Sequence, residues 1–255
     1  MPKTFIMAKL KSLIKIEGTL DDLTFYKGKE GYLVRAKGGV NANRIKNDPA
    51  FARTRENGSE FGHIATSGKQ LRRAIISLLG DVKDSTVTAR LTQTMALVKN
   101  ADTTSNRGER QVRIGLGTPE GKLALKGFDF NKDAVLSSIL LLDYNLNPAT
   151  GEVAITDFIP MQHLGYPEGS THVSLTSGFL KLDFDTNEKS LELSPVVNLP
   201  IDGNTSNINL LPNAVPTGTG YAFYFLKTAF YQELNGKQYL LKNGAYNALK
   251  LIEVL

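Results

Sequence analysis

From residue 111 onward, short apolar runs alternate with turn-forming residues, and this pattern constrains the fold more than any other feature of the chain. Short strands separated by turns at this spacing predict an antiparallel, immunoglobulin-like (Ig-like) β-sandwich. The dipeptide Asn235-Gly236 lies between two such runs and favours a two-residue hairpin turn, because both residues tolerate a positive φ. The predicted strands are residues 112–116, 123–130, 137–145, 153–159, 171–175, 179–184, 190–193, 221–234, 238–242 and 249–254.

Two of these strands carry unusually apolar sequences. The aromatic run at residues 221–231 has apolar side chains on both faces of its strand, which predicts that both faces are covered. The last seven residues, 249–255, form another apolar strand without a polar tail. That strand either pairs inside its own sheet or adds to the sheet edge of a neighbouring copy, and the sequence leaves both outcomes open.

A second β pattern lies near the N-terminus. Apolar and aromatic residues at 23–26 and 32–35 flank a turn at residues 27–31, which contains two glycines. Glycine accepts the positive φ that tight hairpin turns require. Residues 16–40 therefore predict a short β-meander.

Two helices are predicted between the β regions. Asp48 followed by Pro49 is typical of an N-cap and the first helical residue, and apolar residues then recur at helical spacing as far as Leu79. Glycines interrupt this segment at positions 58, 62 and 68, which indicates either a close neighbouring backbone or a break into two helices near residue 58. A further helix is predicted at residues 84–100, where apolar residues repeat every three or four positions.

These patterns together predict an α+β chain that is mainly β. An N-terminal β-meander with two helices is expected to pack on a C-terminal antiparallel Ig-like β-sandwich. We place the domain boundary between residues 110 and 111. The basic head then covers residues 1–110, and the sandwich body covers residues 111–255.

The N-terminal hairpin carries a resemblance to a known family. Its sequence has Gly18, Leu20 and Leu23, then the run Phe-Tyr-Lys-Gly at residues 25–28, then Gly31 and Val-Arg at residues 34–35. Over roughly the first 80 residues, the chain resembles an uncharacterised bacterial family with a glycine-punctuated N-terminal hairpin, an Arg-rich helix and a β-sandwich-like body. Members tend to carry a Pro-Gln-rich linker, whereas this chain has an Asn-rich one at residues 41–49. The resemblance implies a fold and no site residues.

Charge is distributed unevenly along the chain. Residues 1–116 carry 21 Lys and Arg against 11 Asp and Glu, whereas residues 117–255 carry 9 against 14. All ten arginines lie at or before Arg113, and six of them lie within residues 16–73. This asymmetry indicates a head that binds polyanions, protomers that dock basic end to acidic end, or surface charges that are merely uneven.

Composition excludes several classes of site. The chain has no Cys, so disulfides, thiolate catalysis and Cys-ligated metal centres are excluded. We find no uninterrupted apolar segment of the length that a secretory signal or a membrane span needs. The sequence therefore predicts synthesis in the cytoplasm without a signal peptide, and it leaves the final site open among cytoplasm, virion and extracellular space.

The remaining candidate sites have weak sequence signals. Residues 115–122 are glycine-rich, but their spacing and the Leu123 that follows do not fit a phosphate loop, so we interpret them as a turn between strands. A metal cluster of Asp157, His163 and His172 requires the intervening loop to close. A calcium site at Asp183 and its neighbouring carboxylates is less favoured than a solvated hairpin. We predict no catalytic residue, no metal and no cofactor.

The predicted function is therefore structural, and the chain is not expected to be an enzyme. Copies of the chain are expected to build a repeating homo-oligomer, such as a virion, a tail-like particle or an extracellular filament, through head-to-tail contacts. The alternatives are binding of a polyanion or nucleic acid through the basic N-terminal half, and a monomeric binding module. The residues predicted to carry the assembly contacts are Arg44, Arg53, Arg55, Arg72, Arg73, Leu249, Leu251, Ile252 and Val254.

Overall fold

A computed structural model describes residues 8–9, 15–29, 31–36 and 39–255 of the chain. The chain divides into two compact units, Met1–Arg55 and Glu56–Leu255. This division lies at residues 55 and 56, whereas the sequence led us to place a boundary between residues 110 and 111. Helices that follow residue 55 share a hydrophobic core with the large sheet, which accounts for the difference.

The N-terminal unit contains a small antiparallel sheet, as the meander pattern predicted. Its strands pair in the order β1-β4-β3-β2, and β3 and β4 form the hairpin. A short helix and a 3₁₀ turn follow the sheet. The elements are β1 (Ala8–Lys9), β2 (Gly18–Leu20), β3 (Leu23–Gly28), β4 (Gly31–Ala36), α1 (Ala42–Asn47) and the 3₁₀ helix Pro49–Phe51.

The first long helix, α2 (Ala52–Ala74), is continuous across Gly58. Asp48 caps the 3₁₀ turn that leads into it, because its carboxylate accepts a hydrogen bond from the N–H of Ala50 at 2.9 Å. The other helices are α3 (Ile76–Leu79), α4 (Val87–Asn100), α5 (Val112–Leu116), α6 (Pro119–Leu125), α7 (Leu136–Ile139) and α8 (Pro160–His163). None of the helices within the described ranges combines the length and the apolarity needed to cross a bilayer.

Two antiparallel sheets organise the C-terminal unit. The larger has six strands, with β11 and β7 at its centre, β12 and β13 along the outer side of β11, and β8 and β9 along the outer side of β7. The smaller has the order β10-β6-β5. The strands are β5 (Asn145–Asn147), β6 (Glu152–Phe158), β7 (His172–Leu182), β8 (Lys189–Leu193), β9 (Val197–Pro200), β10 (Ser206–Leu210), β11 (Tyr221–Leu234), β12 (Lys237–Leu240) and β13 (Ala248–Val254).

Alternate residues of β11 belong to two separate hydrophobic clusters. Phe223 and Phe225 pack with residues of α2, α4, α5 and α6 on one side of the large sheet. Tyr224 and Leu226 pack with residues of β6 and β10 on the other side. Both faces of this strand are therefore covered within the chain, as its aromatic sequence predicted.

The prediction of strands at residues 112–116, 123–130 and 137–145 was wrong for most of their length. The first forms α5, because Val112 and Leu116 lie one helical turn apart and are both fully buried. The second begins inside α6, which starts at the N-cap Thr118, whose hydroxyl accepts the N–H of Gly121 at 3.1 Å. The third contains most of α7, and only its last residue is in a strand, at the start of β5.

Other strand boundaries also differ from the prediction. The two strands expected at residues 171–175 and 179–184 are one strand, β7. Residues 195–219, where no strand was predicted, contain β9 and β10. The hairpin at Asn235-Gly236 is confirmed, since Leu234 pairs with Lys237 and both turn residues have positive φ.

Two buried or partly buried aspartates order the loops beside α4. Asp102 is 1% exposed and accepts hydrogen bonds from the backbone N–H groups of Thr104, Ser105 and Gln111 at 3.1, 3.0 and 2.9 Å. Burial alone raises the pKa of this carboxyl, but these hydrogen bonds outweigh burial and hold the pKa well below its ordinary value. The pKa of Asp84 is lowered in the same way: hydrogen bonds, among them those from Thr86 and Arg90, outweigh burial.

These shifts predict a loss of stability in acid. Because the folded-state pKa values lie below those of the unfolded chain, the two carboxylates stabilise the fold fully above about pH 5 and progressively less as the pH falls below it. We expect the free energy of unfolding, measured by urea titration at several pH values, to fall between about pH 5 and pH 2. The Asp102→Asn variant should show a shallower fall, and an identical slope in both proteins would contradict this role.

Candidate functional site: the exposed sheet of the N-terminal unit

The register of the N-terminal sheet sorts its side chains onto two faces. Leu20 lies opposite Leu23, and Phe25 lies opposite Val34, and directly paired residues of antiparallel strands share a face. Lys27 and Tyr32 form a third pair on the same side, since strand residues two apart share a face. We call Leu20, Leu23, Phe25, Tyr32 and Val34 the apolar face of the N-terminal sheet.

The side chains of the apolar face keep solvent exposure within the described residues of the N-terminal unit. Among the residues described between 15 and 55, none is buried. Leu20 is 62% exposed and Leu23 is 44% exposed, while Phe25 and Val34 are half-buried. The face therefore leaves apolar surface in water, a state that marks interaction surfaces in soluble proteins.

Cations are interleaved with the aromatic rings of this sheet. The ammonium groups of Lys15 and Lys27 lie 5.3 and 6.0 Å from the centre of the Tyr32 ring. On the opposite face, the guanidinium of Arg35 lies 5.4 Å from the centre of the Tyr26 ring. These distances are within the range of cation–π attraction, so the cations are held against the sheet.

The unit as a whole is strongly basic. Residues 1–55 carry 12 Lys and Arg against 5 Asp and Glu, a net charge of +7. Residues 56–255 carry 18 against 20, a net charge of −2. The N-terminal unit therefore carries more net positive charge than the whole chain, whose net charge is +5, and the C-terminal unit is slightly acidic.

The predicted contact arginines have different surroundings. Arg44 pairs with Asp48 at 2.9 Å, and its side chain is 62% exposed. Arg55 is half-buried, and its guanidinium donates to the carbonyl oxygens of Ile45 and Asp48 at 2.8 and 3.0 Å, so it stabilises the end of α1. Arg53 and Arg73 are exposed and Arg72 is half-buried; Arg72 and Arg73 lie in the last turn of α2, in the C-terminal unit.

The predicted contact residues of the last strand have a different role. Leu249 and Leu251 are fully buried, and Ile252 and Val254 are 6% and 1% exposed. Their strand, β13, pairs with β11 of the same chain. These side chains therefore fill the core and cannot line an exposed contact surface. Only exchange of the whole strand would bring them to another copy.

The histidines do not form a metal centre. The Nδ1 atom of His163 accepts a hydrogen bond from the backbone N–H of Ile159 at 3.0 Å. The Nε2 atom of His172 lies 3.5 Å from Oε2 of Glu233. Throughout the described ranges, no three His, Cys, Asp or Glu side chains come together as a metal site would require. The proposed cluster of Asp157 with these two histidines therefore does not form in the structure.

The C-terminal unit has its own cavities. A polar cavity of about 460 Å³ lies between α2 and residues 104–111, and Glu60 lines it. The Glu60 carboxylate is already occupied, because it accepts hydrogen bonds from Lys99 at 2.6 Å and from the N–H of Gly108 at 2.8 Å. We interpret this carboxylate as structural, since both of its oxygens have partners.

The sequence predicted the strands of the N-terminal sheet and the excess of positive charge in this half of the chain. It did not predict that the leucines of the sheet are exposed to solvent. The meander pattern predicted the strands, and the register of the hairpin then assigns the two faces. The exposure of Leu20 and Leu23 could not be read from local spacing, because burial depends on residues distant in the sequence. In comparisons with known proteins, no family model, curated protein or solved structure matches the chain.

Proposed function

We propose that the chain is a structural subunit that assembles with copies of itself through its N-terminal sheet. The observation that carries this proposal is the apolar face, whose leucines stay exposed although the strands are regular and paired. Small sheets need a covered apolar face for stability, so a partner surface would stabilise this unit as well as bind it. The product would be a repeating particle or filament.

Charge favours a head-to-tail contact over a contact between two N-terminal sheets. Two N-terminal units, each with a net charge of +7, repel each other. An N-terminal unit is instead attracted to the C-terminal unit of a neighbouring copy, which has a net charge of −2. A contact between different surfaces of identical chains is heterologous. Such contacts generate rings or open filaments, depending on whether the rotation closes.

A second function, binding of single-stranded nucleic acid, is favoured by the cation–aromatic pairs of the same sheet. Tyr26 and Tyr32 expose ring surface beside Arg35, Lys15 and Lys27. Proteins that bind single strands combine aromatic platforms with basic grooves. The apolar leucines of the face have no role in this second function, and that difference separates the two hypotheses.

We also propose that the two sheets of the C-terminal unit form the layers of an Ig-like sandwich. The support is a shared hydrophobic cluster in which Phe158 and Ile208 of the small sheet pack with Leu226 of the large sheet. Two sheets that bury side chains against each other form the layers of a sandwich. The other face of the large sheet is covered by helices. An Ig-like domain has no such helical layer, so the sandwich in this chain would be a modified one.

The test measures the mass of the purified full chain by light scattering, with negative-stain microscopy at low and high salt. We expect wild type to form ordered assemblies, and the double variant Leu20→Thr/Leu23→Thr to remain at the 27.9 kDa of one chain. Threonine keeps the strand propensity of these positions while removing apolar surface. The control is Leu234→Thr, at an equally exposed strand leucine of the other unit, which should assemble as wild type does.

Three outcomes would overturn the assembly proposal. Wild type could remain a monomer at every concentration and salt, or the double variant could assemble as fully as the control. The wild-type protein could also stay monomeric while binding single-stranded DNA, with an affinity that falls steeply as salt is added. That last result would indicate that the N-terminal sheet binds nucleic acid and does not mediate assembly.

A further inference from the structure

We propose that the polar cavity between α2 and residues 104–111 binds a small carboxylate through the guanidinium of Arg110. The cavity has a volume of about 460 Å³, within the range of small-molecule sites. Every residue that lines it is polar, charged or glycine, which favours a polar ligand over an apolar one. The cavity lies in the C-terminal unit, so the inference does not depend on the proposed assembly function.

Arg110 is a cation without an anion. In the part of the chain that the structure describes, its guanidinium has no hydrogen bond and no ion pair with a protein group. The neighbouring arginines differ, since Arg107 pairs with Glu56 and Arg113 pairs with Asp185, each at 2.9 Å. Arg110 is half-buried and its Nε is fully buried, so the guanidinium loses hydration that no protein group replaces. A bound anion would offset this cost.

The guanidinium of Arg110 is accessible and lies near Glu60, which lines the same cavity. Its two terminal nitrogens have no partner within the described ranges and, unlike Nε, are not buried. Burial raises the pKa of the Glu60 carboxyl, but hydrogen bonds from Lys99 and Gly108 lower it below its ordinary value. The charges of Lys99 and Arg110 add to this lowering. Because both Glu60 oxygens accept hydrogen bonds from other groups, Arg110 stays free for a ligand.

Two buried carboxylates hold the loop that carries Arg110. Asp102 accepts the N–H groups of Ser105 and Gln111 at 3.0 and 2.9 Å, so it joins the two ends of the loop. Glu60 accepts the N–H of Gly108 at 2.8 Å, which fixes the middle of the loop to α2. This wall of the cavity is therefore formed before a ligand binds, and binding requires little ordering of the loop.

The other wall of the cavity belongs to α2. Ser59 and His63 lie about one helical turn apart, and both line the cavity. The hydroxyl of Ser67 lies 3.4 Å from Nδ1 of His63, while Nε2 of the same ring has no protein partner within the described residues. This wall therefore supplies a hydroxyl and a ring nitrogen for a second polar group of the ligand.

The charges of the lining favour a ligand with a single negative charge. Glu60 is balanced by Lys99, so the other charged groups that line the cavity are Arg110 and Glu109. A phosphate dianion would be repelled by the Glu109 carboxylate, whereas a monocarboxylate matches the planar fork of one guanidinium. The volume exceeds that of a bare carboxylate group, so a small hydroxy acid or amino acid is the ligand class that fits.

The test is equilibrium dialysis of the full chain against radiolabelled L-lactate and glycine, a method that also works with assembled protein. We expect saturable binding of at least one probe, and the Arg110→Gln variant should bind it at least about tenfold more weakly. Binding of lactate would identify a hydroxy acid, and binding of glycine would identify an amino acid. The matched control is Arg73→Gln, which removes an exposed arginine of the same unit outside the cavity and should bind as wild type does.

Three results would overturn the proposal. The first is the absence of saturable binding of both probes up to about 10 mM. The second is an affinity of Arg110→Gln equal to that of wild type or of the control, which would show no specific role for Arg110. The third is tighter binding of inorganic phosphate than of either probe in the same dialysis. Because Arg110 has no protein partner in the described ranges, the variant is expected to fold, and a circular dichroism spectrum identical to that of wild type establishes that it does.

Discussion

Replacing Gly115 with alanine should destabilise the protein by about 3 kcal/mol. The added Cβ would lie 2.0 Å from the carbonyl oxygen of Val98 and 2.9 Å from its carbon, where α5 crosses the end of α4. Both are backbone atoms, so α5 would have to move away from α4. At roughly 2–4 °C per kcal/mol for a chain of this size, the midpoint of thermal unfolding should fall by about 6–12 °C.

The matched controls are Gly58→Ala and Gly62→Ala in α2. A Cβ at either position meets no atom within 4 Å, so alanine adds no clash. Alanine in a helix interior instead restricts the unfolded chain, and each control should stabilise the protein by about 0.5–1 kcal/mol. A Gly115→Ala protein as stable as wild type would contradict the close crossing of α4 and α5.

The second large effect is expected at the buried ion pair between Lys99 and Glu60. The side chains are 10% and 9% exposed, and Nζ lies 2.6 Å from Oε2. The Lys99→Met variant keeps the length of the side chain but leaves the Glu60 carboxylate buried without its counter-ion. Removing one partner of a buried pair costs about 3–5 kcal/mol, and urea unfolding at neutral pH measures this loss.

The control is Lys126→Met, which removes an exposed pair of the same length. Lys126 lies 2.6 Å from Glu253, but its side chain is 45% exposed, so solvent screens the attraction. Its loss should cost no more than about 1 kcal/mol. An equal loss in the free energy of unfolding for Lys99→Met and Lys126→Met would mean that burial does not strengthen the contribution of the Lys99–Glu60 pair to stability. The double variant Lys99→Met/Glu60→Gln should recover part of the loss, because it removes the uncompensated charge.

Strand and turn patterns gave reliable predictions where pairing is local. The β3–β4 hairpin and the Asn235-Gly236 turn each join strands that are adjacent in sequence, so turn residues and alternation specify them together. The two-sided apolar sequence of β11 likewise reports its burial in the centre of the large sheet. In each of these elements the local pattern and the tertiary environment agree.

The same reasoning failed at residues 112–125 because a short segment fits two periods. Val112, Ile114 and Leu116 alternate as in a strand, while Val112 and Leu116 also share a helical face. The glycines allow the helical alternative, because they let the helices pack closely. Gly115 lies against the backbone of Val98, and a Cβ on Gly121 would lie 2.0 Å from the carbonyl oxygen of Gly115. Those neighbours are supplied by the packing of α4, α5 and α6, which the spacing of one segment cannot express.

The sequence by itself determined the hairpins, the long helices and the excess of positive charge before residue 56, because propensity, periodicity and net charge are properties of neighbouring residues. Tertiary structure alone decided that β13 is a core strand and that Leu20 and Leu23 stay exposed to solvent. Burial and pairing depend on which distant groups approach a side chain. That approach is set by the packing of the whole chain.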